Sequence, residues 1–194
     1  MEFIQTLLTF LAQMPGNLVY ILALAFTIVG ALQGAIVQWR ATGYPQARRM
    51  VVGLILLLLG QVALFAASGL VWQRLITADA LLPPLDRAVV LFSIIWIVWI
   101  WAFPEPSRPG DTATVLLSLL TMAGLTLGVV ANLQNPPTAG TFNSSLQSLA
   151  WSIASLGMLG LGGVLLVTRK PQGWGTGLAV VGLIATGFII DLSL

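Results

Sequence analysis

The chain has 194 residues, 58% hydrophobic and 7% charged, with mean hydropathy +0.98 and a net charge of +2. Segments such as 50–72 are apolar on every side, which excludes an ordinary soluble domain, whose helices carry one apolar face. The chain has no His and no Cys. That removes imidazole and thiolate metal sites, disulfides and thiol catalysis, and the few scattered basic residues form no stripe for nucleic acid.

Residues 1–14 are too short to span a bilayer but show helical periodicity. Glu2, Gln5, Thr6, Thr9 and Gln13 fall on one side, and Phe3, Ile4, Leu7, Leu8, Leu11 and Met14 on the other. Pro15-Gly16 breaks the pattern. Residues 1–16 are therefore expected to form a short amphipathic helix lying in the membrane interface, ahead of a transmembrane domain over 17–194.

Crossing a hydrocarbon core takes about 20 helical residues. Six stretches reach or approach that length, at 17–39, 50–72, 87–103, 112–133, 145–168 and 174–194. The fold class is accordingly all-α, a polytopic bundle of six transmembrane helices. Pro83-Pro84 and Pro136-Pro137 lie in the connections 74–86 and 134–144, where each pair is expected to forbid continued helix. Three other turns centre on Gly43-Tyr44-Pro45, Arg108-Pro109-Gly110 and Lys170-Pro171-Gln172-Gly173, their prolines 64 and 62 residues apart. That rhythm reads as three similar helical hairpins. Residues 50–55 (MVVGLI) also resemble 179–184 (AVVGLI).

Arg40, Arg48, Arg49, Arg108, Arg169 and Lys170 flank those three turns, whereas only Arg74 and Arg87 occupy the other side. The bias places the turns in the cytoplasm and the amino terminus outside, in a multi-pass protein of the cell membrane.

Helices in lipid associate through small residues. Such residues occur as Gly30/Gly34 and Gly124/Gly128, and at intervals of seven as Gly53, Gly60, Ala67 and as Ser148, Ser155, Gly162. The first two helices are expected to touch along Gly30, Gly34, Gly53 and Gly60. That contact would bring together Gln33 and Gln61, the deepest strongly polar side chains, either as an interhelical hydrogen bond or as a small polar pocket. Phe92, Trp96, Trp99 and Phe103 form an aromatic stripe. Trp99 and Trp101 fit an interfacial belt, and Trp96 lies deep enough to wall a pocket for an apolar ligand, quinone or lipid. Gln33, Gln61, Trp96 and Trp99 are thus the candidate pocket or packing residues. No charge lies at the middle of a span and no carboxylates pair, so neither an enzyme, a cofactor nor a metal site is expected.

The Trp-rich helix opened by Leu85-Asp86-Arg87, the turn Trp99/Trp101–Pro104-Glu105-Pro106-Ser107-Arg108–Asp111 and the later Arg169–Trp174 turn resemble the amino-terminal membrane sensor modules of bacterial histidine kinases and diguanylate cyclases. The resemblance covers the whole chain and implies a bacterial cytoplasmic-membrane module that passes helix rearrangement to an output region. Such an output lies inside, so the native polypeptide is expected to continue past Leu194 through another span. The alternative is a non-catalytic accessory subunit of a larger membrane complex, and a small transporter or channel comes third. The partners expected are the lipid bilayer and other membrane helices, in a homo-oligomer or a larger complex.

Overall fold

The computed structural model describes residues 16–135, 142, 145–171 and 173–193. The amphipathic segment expected over 1–14 and the Pro136-Pro137 break lie outside the described residues. Six helices follow in order: α1 (Gly16–Thr42), α2 (Pro45–Trp72), α3 (Ala78–Ala102), α4 (Arg108–Gln134), α5 (Leu146–Arg169) and α6 (Trp174–Ser193). Among the described residues there is no strand, and five helices are long and apolar enough to cross a membrane. The described apolar part of α6 is shorter, Trp174–Thr186.

Local chemistry sets the helix ends. Pro45 and Pro109 sit in the first turns of α2 and α4, where an absent N–H costs nothing because no intrahelical acceptor exists there. Ser107 Oγ accepts from the Gly110 amide at 3.4 Å, and Ser145 Oγ from the Ser148 amide at 3.1 Å, so both serines cap their helices. At the end of α5, Lys170 turns left-handed at φ 44° and its amide bonds the Leu166 carbonyl.

One expectation is corrected at the start of α3. The third span was read to begin at 87 because Pro83-Pro84 should stop a helix, but α3 begins at Ala78 and runs through both prolines. Each proline deprives the carbonyl four residues back of its donor, here Asp79 and Ala80. Asn132 Nδ2 of α4 donates to the Ala80 carbonyl across a long 3.4 Å. A neighbouring helix supplies what the local chain lacks, which is how transmembrane helices tolerate internal proline.

Packing is organised around α3. It contacts α2, α4, α5 and α6, while α1 lies outside against α2. The large side chains of α3 meet small residues of its neighbours. Ile94, Ile95 and Val98 are almost fully buried. Gly53 and Gly60 of α2 lie against Ile100 and Val89, and Gly162 of α5 lies against Val98. Thr114 and Thr121 are buried on α4, and Ser148 and Ser155 on α5, both pairs at intervals of seven. The core is completed by Leu159, Leu166 and Val181 against Ile94 and Val98.

The contact expected between the first two helices takes another form. A Cβ added at Gly30 or Gly34 would meet nothing, and α1 is buried instead at Ile28 and Ala35. Gly53 and Gly60 serve α3, not α1. Gln33 is exposed and no hydrogen bond joins it to Gln61. Elsewhere the exterior is strongly apolar: Phe26 is 74% exposed and Leu127 71%, a surface that suits hydrocarbon and not water.

Candidate functional site

The turns at 43–44, at 103–107 and at Lys170, Pro171 and Gly173 converge at one end of the bundle. Tyr44, Phe103, Pro104, Ser107, Pro171 and Gly173 all line one cleft there. Because six of the eight basic residues flank these turns, this is the basic end.

Three helices are tied together at that end by one carboxylate. Asp111 lies in the first turn of α4, where the helix dipole favours negative charge. Its Oδ1 accepts from Arg49 Nη2 of α2 at 2.7 Å and from Trp99 Nε1 of α3 at 2.7 Å. The Arg49 guanidinium also lies over the Trp99 ring, 4.4 Å from its centroid. A cation, an aromatic face and a shared acceptor therefore hold α2, α3 and α4 in one register. Arg49 would oppose the dipole of its own helix start, and Asp111 compensates it. Arg49 is only 6% exposed, so loss of that partner would leave a buried charge uncompensated.

Trp96 extends this cluster into the bundle. Its ring is T-shaped to Trp99, with centroids 5.0 Å apart, and 6.0 Å from Phe92. Its buried Nε1 has no hydrogen-bond partner. Met50 and Leu56 of α2 pack against the same cluster. The Trp99 ring is buried and its N–H is bonded inside the protein, so it packs against helices and does not face outward. Trp101 also turns inward, against Gly173 and Gly177. Gly173 adopts φ +76°, so it serves both the turn and the close approach of the indole.

A second feature lies further along α3, toward the opposite end. A cavity of about 520 Å³ is bounded by α1, α2, α3 and α6, with Leu24, Gln61, Ser93, Ile97 and Ile184 among its walls. Its volume falls in the range of small-molecule sites. Ser68 and Ser93 donate to carbonyls of their own helices, Leu64 and Val89, whereas Gln61 is 9% exposed with no such bond. Asp86 also lines the cavity, and the remaining walls are mostly apolar, so it suits a largely apolar molecule with polar groups.

Of the four residues singled out by sequence, the structure brings Trp96 and Trp99 together, places Gln61 in the α3 cavity and leaves Gln33 on the surface. Arg49 and Asp111 were missed as a pair. Their signal lay in the repeated turns, for they stand four residues after Pro45 and two after Pro109. Among the described residues no group of acidic side chains is arranged to hold a metal. Comparison with protein-family models, with curated proteins and with solved structures finds no match.

Proposed function

We propose that this chain is a membrane-embedded signal-transducing module in which α3 couples the Gln61 cavity to the Arg49–Trp99–Asp111 clamp. The observation that carries the reading is that one helix serves both: Val90, Ser93 and Ile97 wall the cavity, and Trp99 joins the clamp. Ser93 and Trp99 are six residues apart, about 9 Å along a helix. A molecule entering the cavity wedges α3 against α1, α2 and α6, and the shift strains the short bonds around Asp111. Two packings of α3, differing in whether those bonds form, are the two states such a module requires.

In this reading all six helices span the membrane as three hairpins. The amino terminus lies outside and the basic end lies in the cytoplasm, following the distribution of Arg and Lys. The chain itself performs no chemistry, and its partners are lipid and other membrane helices. The Cys-free sequence makes the orientation simple to test. A cysteine at Ala41 reacts with an impermeant reagent only from the cytoplasmic side, and reaction from outside reverses the topology.

The second reading is a passive accessory subunit of a larger membrane complex. It is favoured by the small-residue faces that remain open, Gly30 and Gly34 on α1 and Gly157 and Gly160 on α5. Nitroxides at Thr77, before α3, and at Leu183 on α6 distinguish the two. In lipid nanodiscs the signalling reading expects the inter-label distance distribution to shift when Asp111→Asn weakens the clamp. An unchanged single distribution contradicts it and favours the passive subunit.

A further inference from the structure

We propose that the Gln61 cavity binds a neutral, lipid-soluble alcohol, an aliphatic body whose hydroxyl both donates and accepts a hydrogen bond. The assignment rests on the reading of that cavity as the sensing site of the module and names the chemistry it selects. Three observations carry it.

The first is Gln61 itself. It lines the cavity from α2 and is only 9% exposed, yet its amide makes no hydrogen bond among the described residues. The polar side-chain atoms that are both unpartnered and sealed belong instead to Gln46, Arg49, Trp96 and Gln147, so the Gln61 amide keeps access to the space it lines. An amide left unbonded among apolar walls is costly, and a ligand that bonds it recovers that cost.

The second is the balance of donors and acceptors. The hydroxyls of Ser68 and Ser93 are spent on the carbonyls of Leu64 and Val89, at 2.9 and 2.7 Å. Toward the cavity they offer only lone pairs, and Asp86 adds acceptor oxygens. Among the lining side chains the spare donor is the Gln61 amide nitrogen. A ligand with acceptors alone, such as a quinone or an ester, satisfies that nitrogen and nothing else. A carboxylate would also meet Asp86. A hydroxyl supplies the missing donor. Gly60 of α2 lies against Val89, which sets Gln61 about one turn of α3 from Ser93. A hydroxyl between them accepts from Gln61 Nε2 and donates toward Ser93 Oγ.

The third is the body of the site and its way in. Leu24, Leu64, Val90, Ile97 and Ile184 are aliphatic, and no aromatic ring is among the lining residues, so a flat head group finds nothing to stack on. Helix α6 packs closely on α3 and α5 and not on α1 or α2. The side between Leu24 and Ile184 is therefore not closed by a helix contact, and a ligand enters from the hydrocarbon.

The test uses the full chain in phosphatidylcholine nanodiscs and a dodecanol bearing a diazirine at its far end. Photolabelling should concentrate on peptides holding Leu64, Val90 and Ile184. Unlabelled dodecanol should suppress it about tenfold better than methyl dodecanoate, dodecanoate or dodecane. Gln61→Leu removes an unpartnered amide, so it should keep the melting temperature while losing about tenfold in labelling. Ser93→Ala, benign to a helix, should lose about threefold, and Gln33→Leu, on the exposed face of α1, should lose nothing. Labelling spread over the outward faces, equal competition by any of the three comparators, or parental labelling of both Gln61→Leu and Ser93→Ala overturns the proposal. The distances between Thr77 and Leu183 separate this from the signalling reading. Dodecanol that binds without moving them supports the site and contradicts signalling. Distances that answer to Asp111→Asn while no alcohol binds overturn the alcohol site alone.

Discussion

Helices α1 and α3 are similar in length and apolar content, yet the bundle treats them oppositely. Half of the best apolar window of α3 is buried, against 11% for α1. Both carry residues suited to close packing, but only α3 is surrounded, with α2, α4, α5 and α6 all against it. In water, apolar area alone would pull a helix inward. In lipid the tails are as apolar as leucine, so position follows from shape. The stripes of α2, α4 and α5 are small, and the helix they enclose is large: Ile94, Ile95, Val98 and Ile100 fill the space those small residues leave. Helix α1 meets its neighbour at Ile28 and Ala35 and presents Phe26 and Val37 outward.

The sharpest way to break this contrast is to remove the charge that fixes α3 at the basic end. Asp111→Ala leaves Arg49 buried without its counter-ion. Breaking a fully buried pair costs about 3–5 kcal/mol. Because the Asp111 side chain is 44% exposed and water can partly replace it, the expected loss is about 2–3 kcal/mol. Thermal unfolding in mild detergent measures it, and an unchanged melting temperature would show that the clamp carries no stability.

Overfilling the centre comes next. A Cβ at Gly162 would lie 2.5 Å from Val98 Cγ2, and the branched valine has little rotamer freedom to withdraw. Gly162→Leu should therefore cost about 1–3 kcal/mol in the same unfolding assay. A variant as stable as the parent would show that α5 can move off α3 freely.

A smaller effect is expected where α4 completes the proline-interrupted start of α3. Asn132→Ala removes the donor to the Ala80 carbonyl, and since that bond is long at 3.4 Å, the loss should be no more than about 1 kcal/mol. A larger loss would mean that this contact also anchors the entry to α3. Smallest of all is the matching change on the rim. Gly34→Leu meets nothing within 4 Å and should alter stability by less than about 0.5 kcal/mol. A loss comparable to that of Gly162→Leu would place a partner on α1.

The pair Gly162 and Gly34 also shows how far the amino-acid sequence reaches. The helices and their intervals of seven were legible in it: Gly53, Gly60 and Ala67 share one face, and so do Ser148, Ser155 and Gly162. What faces each stripe was not legible, because lipid and a neighbouring helix present the same apolarity to a glycine. Gly30 and Gly34 read like Gly53 and Gly60, and only the surroundings separate them. The start of α3 was misplaced for a related reason. A proline rule is local, whereas the donor that relieves Ala80 comes from Asn132, 52 residues away. Arg49 and Asp111 read as charges flanking turns, and 62 residues hide their pairing. The aligned prolines of the hairpins were the available clue. Trp99 was singled out as an aromatic, but its role depends on those two charges.

In the proposed mechanism the clamp and the cavity are coupled through α3, and the open Gly30/Gly34 face of α1 takes no part. Nitroxides placed separately at Ser93, in the cavity wall, and at Gly34, on the open face of α1, report on the two helices in lipid nanodiscs. Introducing Asp111→Asn should change the mobility spectrum at Ser93 and leave that at Gly34 as it was. Identical spectra at Ser93 with and without Asp111 would contradict the account, because α3 would then hold its place in the cavity whether or not the clamp is formed.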